Sequence, residues 1–196
     1  MAYNEEDSVI NPSLARLLLN TLKLLKGSAS EFYEYQLNPL LISMLKKTAT
    51  FNFDSVFSLF EAIGQLAYHL CRTKSPHCQQ LETLIQQFFH QMIQSQSDIL
   101  NFCFQILSIF LQLNPGDASF YDNIYNSIIR VENWSEDNLS LMSAYIQYIS
   151  AYISINNNRI MNDKGVYETI LSKLIELDHY ELFYRLVRTI LKIGNL

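Results

Sequence analysis

The residues with the strongest potential for chemistry are two histidines and two cysteines within ten positions of one another. His69 and Cys71 are followed, after a short turn, by His77 and Cys78, and these side chains are the types that bind zinc. On a helix, however, positions two apart point about 200° apart, and adjacent positions also diverge. We therefore interpret the cysteines as core residues and the histidines as rim residues, with a zinc site as the alternative.

Two groups of aromatic residues could form a binding platform. Rings on a helical stripe can stack on nucleic-acid bases or hold peptide side chains. A chain with 12 Tyr and 12 Phe also needs rings to fill its core, and we interpret these groups as packing between helix layers. The single tryptophan, Trp134, precedes Ser135 and is interpreted as a hydrophobic staple for the following helix. The six rings are Phe120, Tyr121, Tyr125, Tyr145, Tyr148 and Tyr152.

Sequence motifs of catalysis are absent from the chain. It contains no Gly-rich phosphate loop, no His-Glu-x-x-His and no Gly-x-Ser-x-Gly. Its paired acids lie near the N-terminus and in the first turn of a predicted helix, where solvent and the helix dipole account for them. The sequence therefore predicts a protein that is not an enzyme and that holds neither a cofactor nor a metal ion.

The composition favours helices and a protein that remains in solution inside the cell. Leu and Ile together number 49, against five Val, five Gly and four Pro, a balance that disfavours short strands and tight turns. A formal charge of −5 without a basic face argues against nucleic-acid binding. Polar residues interrupt every long apolar stretch, and the acidic N-terminus does not resemble a secretory signal. The three cysteines, Cys71, Cys78 and Cys103, are predicted to be reduced core residues.

Residues that can begin a helix recur about every 40 residues, and each is followed by apolar residues on one helical face. A second helix fits into each interval. This spacing is typical of HEAT repeats and predicts an all-α fold, an α-α superhelix of about four HEAT-like helical pairs plus one further helix; a compact non-repeating bundle is the alternative. The five predicted starts are Asn11, Asp54, Ser97, Ser135 and Asp178. The predicted organisation is a frayed segment at 1–10 and one array at 11–196, with pairs at approximately 11–53, 54–96, 97–134 and 135–177 and a last helix at 178–193.

Several segments carry a resemblance to a known family by their order and separations. They are Phe53 with 59–63, then 102–108, then Trp134 and Asn138 ahead of the predicted helix at 139–153, with a weaker set at Leu174, Glu176, His179 and Phe183. These segments resemble the later HEAT repeats of the CAS/CSE nuclear export receptors, which are importin-β-like. Because members of that family are several times longer, the resemblance implies a middle or C-terminal fragment of such a receptor, matching from about 11 to 195.

The resemblance implies a receptor that exports importin-α from the nucleus in complex with Ran-GTP and is found in both nucleus and cytoplasm. Importin-α and Ran would bind through the full-length parent, with no nucleic acid and no membrane span. A HEAT-repeat scaffold or regulatory subunit without a transport role is the alternative. The fragment is also expected to self-associate weakly through the apolar faces at its ends.

The second helices of a HEAT superhelix line its concave wall, so their polar edges are the predicted partner surface. The candidate residues are Glu82, Gln86, His90, Asp122, Asn126, Glu168, Ser172, Lys173 and Glu176.

Overall fold

The computed structural model describes residues 17, 20–21, 41–42, 44–45, 53–94, 99–113 and 116–194. Within 53–194 the described residues form eight α-helices and two short 3₁₀-helices, without a strand, which confirms the predicted all-α class. The segment predicted to be frayed, 1–10, and the predicted helix start Asn11 lie outside the described residues. Ser97, another predicted start, also lies outside them.

The helices have the following bounds, in chain order: α1 Phe53–Arg72, α2 Cys78–Gln94, α3 Leu100–Leu113, α4 Ala118–Ile128, α5 Leu139–Ile155, α6 Asn158–Asn162, α7 Lys164–Glu176 and α8 Tyr180–Gly194. The two 3₁₀-helices are Val131–Asn133 and Glu136–Asn138, both between α4 and α5.

The chain forms two compact units, and the first spans Met1–Ser95. In it, α1 packs against α2 through apolar residues that recur at helical spacing. Phe57, which the pattern places on the same face, is instead 47% exposed. The fully buried core positions of α1 include Leu59, Ile63, Leu66 and Leu70, and those of α2 include Leu81 and Ile85.

The second unit spans Gln96–Leu196 and is organised around α5. This helix packs against both α3 and α8, while α4 packs against α5 and α7 packs against α8. The three helices α3, α5 and α8 begin about 40 residues apart, at positions 100, 139 and 180. This spacing is the one predicted for the first helices of successive pairs, and the contacts of α5 with α3 and with α8 are the stacking expected of helical repeats. The division of the whole chain into four pairs at the predicted boundaries stays a prediction.

Two of the predicted helix starts have a different local structure from the one expected. The Ser135 side chain makes no capping hydrogen bond, and a 3₁₀-helix, Glu136–Asn138, comes between it and α5. Asp178 ends α7 instead of capping α8. Its φ is 56°, its N–H donates to the Ile175 carbonyl, and the His179 N–H donates to the Leu174 carbonyl. These two bonds form a Schellman motif, which closes the C-terminus of a helix.

Lys74 ends α1 in the same way and occupies a backbone region that favours glycine. Its φ is 54°, its N–H donates to the Cys71 carbonyl, and the Ser75 N–H donates to the Leu70 carbonyl. A side chain in this left-handed conformation costs about 1–2 kcal/mol, which glycine avoids.

We therefore expect Lys74→Gly to raise the free energy of unfolding by about 0.5 kcal/mol, after the greater flexibility of glycine in the unfolded chain is subtracted. Urea unfolding of the two proteins measures the change. Lys74→Ala is the matched control, because it removes the charge but keeps the Cβ atom. Equal stabilities for the glycine and alanine variants would contradict the backbone explanation.

Candidate functional site

A cluster of tyrosines and aspartates connects α4, α5 and α7 inside the second unit. The Tyr125 hydroxyl donates to Asp163 Oδ2 at 2.9 Å and lies 2.5 Å from the Tyr167 hydroxyl. Because a phenol has a single proton, Tyr167 is the donor in the second bond. The Tyr152 hydroxyl donates to Asp122 Oδ1. We call these five residues the tyrosine network.

Ring contacts join the two halves of the tyrosine network. The Tyr125 and Tyr152 rings are stacked, with centroids 4.1 Å apart and planes inclined by 13°. The guanidinium carbon of Arg159 lies 5.5 Å from the centroid of Tyr125, within the range of a cation–π contact. An Arg159 nitrogen is also 3.8 Å from Asp163 Oδ2. One cation therefore lies close to both a network ring and a network carboxylate.

The helices position these side chains by simple spacing. Asp122 and Tyr125 are three residues apart on α4, so they lie on one face. Tyr148 and Tyr152 are four apart on α5, and the Tyr148 hydroxyl donates to the Tyr121 carbonyl at 3.0 Å. Asp163 lies between α6 and α7. All six rings of the two predicted aromatic groups are buried, which confirms that they pack in the core.

Sequence reasoning identified the rings of α4 and α5 but missed their polar partners. Tyr167, Asp163 and Arg159 belong to a later helical pair and lie about 40 residues after the α4 residues they contact. A signal was available in the repeat itself, because equivalent positions of neighbouring pairs are expected to lie side by side.

The network tyrosines are neutral at physiological pH. Burial raises the pKa of Tyr167 to about 12. Burial, and then the hydrogen bond to Asp122, raise the pKa of Tyr152 to about 12. Burial and the neighbouring Tyr167 and Asp163 also raise the pKa of Tyr125. Since each hydroxyl keeps its proton, the network holds helices together and is not suited to proton transfer at neutral pH.

The cysteine interpretation is confirmed by the burial of all three thiols. Cys71, Cys78 and Cys103 are each less than 5% exposed. The hydrogen bond with Cys78, followed by burial, raises the pKa of the Cys71 thiol. Burial raises the pKa of Cys103. In the parts of the chain that the structure describes, no three His, Cys, Asp or Glu side chains form a group that could hold a metal ion.

Trp134 connects the end of α4 to α5. It is 1% exposed, and its indole N–H donates to the Ile128 carbonyl at 2.9 Å. Its ring packs edge-on against the ring of Tyr145, with the two centroids 5.9 Å apart. The side chain therefore satisfies a carbonyl at the C-terminal end of the preceding helix, while its role as a hydrophobic staple for the following helix stays a prediction.

The similarity of the chain to a protein family covers nearly its whole length. A family model described as CAS/CSE protein, C-terminus, matches residues 3–193. The chain belongs to the CAS/CSE family. This is a family of nuclear transport receptors, and the resemblance inferred from the sequence is confirmed. No curated protein matches the chain, and no solved structure matches it.

Two of the predicted partner-binding residues of this CAS/CSE chain point into the protein. Glu82 is only 2% exposed, and its charge contributes to raising the pKa of the Cys71 thiol. Its burial contradicts its assignment to a polar outer edge of α2, while its binding of a partner stays a prediction. Asp122 is half-buried and accepts a hydrogen bond from the Tyr152 hydroxyl. Helical spacing alone does not distinguish a polar outer edge from a polar residue with an internal role.

The other predicted partner-binding residues have more accessible side chains. On α7, the Ser172 hydroxyl donates to the Glu168 carbonyl at 2.9 Å, and Lys173 forms an ion pair with Glu176 at 2.6 Å. Their binding of a partner stays a prediction. The exposed residues are His90, Asn126, Glu168, Ser172 and Glu176, and the half-buried ones are Gln86 and Lys173.

The prediction that the chain has no membrane span can be compared with the length and apolar character of the helices in the described ranges. None of them combines the length with the apolar character that crossing a bilayer requires.

Removing the central hydroxyl of the network tests its structural role. Tyr125→Phe keeps the ring stacked on Tyr152 but removes the donor to Asp163 and the acceptor for Tyr167. Because buried polar groups lose their partners, we expect the free energy of unfolding to fall by about 1–3 kcal/mol. Tyr184→Phe is the control, since Tyr184 is 66% exposed, and its effect should stay within about 0.5 kcal/mol. Equal effects in urea unfolding would contradict the role of the network.

The raised tyrosine pKa values predict alkaline instability. Each network tyrosine has a higher pKa folded than unfolded, where it is about 10. The contribution of the protonated hydroxyls to the free energy of unfolding is therefore complete below pH 10. It is lost as the pH rises through about 12, the folded pKa of Tyr167. Unfolding free energies measured across this window should decrease, and they should decrease less steeply in Tyr167→Phe. Identical pH profiles for the two proteins would refute the linkage.

Proposed function

We propose that this chain is a segment of a nuclear transport receptor that exports importin-α from the nucleus in complex with Ran-GTP. It acts by protein–protein binding and works in both nucleus and cytoplasm. The observation that carries the proposal is the match of the CAS/CSE C-terminal model to residues 3–193. The importin-α cargo and the Ran dependence rest on the family resemblance.

The chemistry of the described residues suits binding better than catalysis. The tyrosines with strongly raised pKa values are buried and hydrogen-bonded to neighbouring helices. The cysteines are buried thiols with raised pKa values, and such thiols are poor nucleophiles. These groups stabilise the packing of the helices.

The exposed edges of α4 and α7 are the proposed partner surface of the second unit. Tyr125 of α4 and Tyr167 of α7 are hydrogen-bonded to each other, so the two second helices are adjacent at this level. Asn126 and Glu168 directly follow these tyrosines and are exposed, and Ser172 and Glu176 continue the Glu168 face at intervals of four residues. Glu168 and Glu176 bring two carboxylates to this surface, each paired with a lysine of α7, Lys164 and Lys173 respectively. The proposed contact is between these carboxylates and a basic segment of the partner.

The expected self-association of the fragment stays a prediction. Two large apolar side chains of α8 are exposed to solvent, as this self-association would require: Tyr184 is 66% exposed and Leu191 is 59% exposed. Apolar side chains of this kind favour association when they form a continuous patch.

Co-elution with importin-α on a sizing column, with and without GTP-loaded Ran, tests the proposed function in the full-length parent. We expect a complex that depends on Ran-GTP, because coupling between the two ligands is what distinguishes a transport receptor. A parent that retains importin-α equally with and without Ran would be a passive scaffold. A parent that binds neither protein would show that the assignment to importin-α export is wrong.

Charge reversal in the parent tests the surface itself. Glu168→Lys with Glu176→Lys is expected to weaken importin-α binding about tenfold, because like charges would face a basic partner segment. The matched control is Glu136→Lys with Asp137→Lys, which makes the same change in net charge at exposed residues outside the second helices. Unchanged affinity in the first variant, with the complex still formed, would exclude α7 as a contact.

A further inference from the structure

A cleft of about 510 Å³ lies between α3, α5 and α8 in the second unit. Its volume falls within the range of ligand sites in proteins. The cleft belongs to the first helices of the repeats, whereas the proposed importin-α surface belongs to the second helices. The polar side chains that line it include Gln112 from α3, Ser154 from α5, Asn157 from the turn after α5, and Arg188 and Lys192 from α8.

The charge of this cleft is opposite to that of the chain. The chain as a whole carries −5, yet the lining residues include two cations and no carboxylate. Other cations of α7 and α8 are already paired: Arg185 with Glu181 at 2.8 Å, and Lys173 with Glu176 at 2.6 Å. In the described part of the chain, neither Arg188 nor Lys192 forms an ion pair. Two cations are therefore available to an anionic ligand.

The hydroxyls and amides around the cleft divide into two groups. Thr189 donates to the Arg185 carbonyl and is bonded to Ser150, and Ser154 donates to the Ala151 carbonyl. These hydroxyls are used within the protein. The Gln112 and Asn157 amides have no hydrogen-bond partner among the residues that the structure describes, and both are exposed. Guanidinium, ammonium and amide N–H groups thus remain as donors, and carboxylate oxygens accept from such groups.

The spacing of Arg188 and Lys192 matches the spacing of alternate side chains in an extended peptide. Arg188 and Lys192 are four residues apart on α8, so their Cβ atoms are about 5–6 Å apart on one face. In an extended peptide, alternate side chains point to the same side, about 6.6 Å apart. An extended segment with acidic residues at alternate positions can therefore place one carboxylate near each cation, while its backbone meets the amides of Gln112 and Asn157.

We propose that this cleft binds an acidic peptide segment of a protein partner, in extended form, with acidic residues at alternate positions. The interaction goes beyond the transport function and does not depend on it. A chain that fails to bind importin-α could still bind such a segment, and the reverse also holds.

Fluorescence anisotropy of a labelled peptide with glutamate at alternate positions tests the proposal on the full 196-residue chain. We expect saturable binding that weakens with added salt, and no binding of the same peptide with glutamine in place of glutamate. Arg188→Gln with Lys192→Gln should weaken binding about tenfold, because two charge contacts are lost. Both side chains are exposed, so these changes should leave the melting temperature nearly unchanged.

The matched control is Lys164→Gln with Arg185→Gln, which also removes two positive charges. These cations are paired with Glu168 and Glu181 and do not line the cleft, so binding should be retained. Equal loss in both double variants would show a general charge effect and would overturn the proposal. Absence of peptide binding would also overturn it. Displacement of the peptide by an equal concentration of inorganic phosphate would show a site for single anions, which contradicts recognition of a peptide.

Discussion

A phenol hydroxyl that is buried among helices must find a hydrogen-bond partner, and much of the second unit follows from this requirement. Tyr125 is fully buried, and leaving its hydroxyl unpaired would cost about 1–3 kcal/mol. Its partners, Asp163 and Tyr167, come from the next helical pair. The position of α7 relative to α4 is thus fixed by specific bonds as well as by apolar packing, which is less directional.

The acidic residues of the second helices differ in whether they reach solvent. Glu82 and Asp122 are acidic residues on second helices. Glu82 is buried, and Asp122 accepts a hydrogen bond from the Tyr152 hydroxyl. The acidic groups of α7 remain in solvent, with cations three or four residues away. Acids with internal roles and acids on the surface therefore occur on the same kind of helix, and only the second kind is exposed to solvent.

Periodicity predicted the features that depend on one helix at a time. The apolar faces of α1, α3 and α5, the burial of the aromatic stripes and the core positions of the cysteines all follow from side chains recurring every three or four residues. The features that were missed depend on contacts between helices. The burial of Glu82, the hydrogen bond of Tyr125 to Asp163 and the C-terminal role of Asp178 require knowledge of the neighbouring segment. The cleft likewise forms from three helices that are distant in sequence.

The environment of Trp134 gives the protein a spectroscopic reporter at a known place. It is the only tryptophan in the chain, and its indole is buried between the end of α4 and Tyr145 of α5. Its emission is therefore that of an indole shielded from water, and it will shift to longer wavelength when this junction opens. Since the first unit contains no tryptophan, tryptophan fluorescence follows the unfolding of the second unit alone. Circular dichroism follows the helices of both units. Comparing the two signals shows whether the units unfold together.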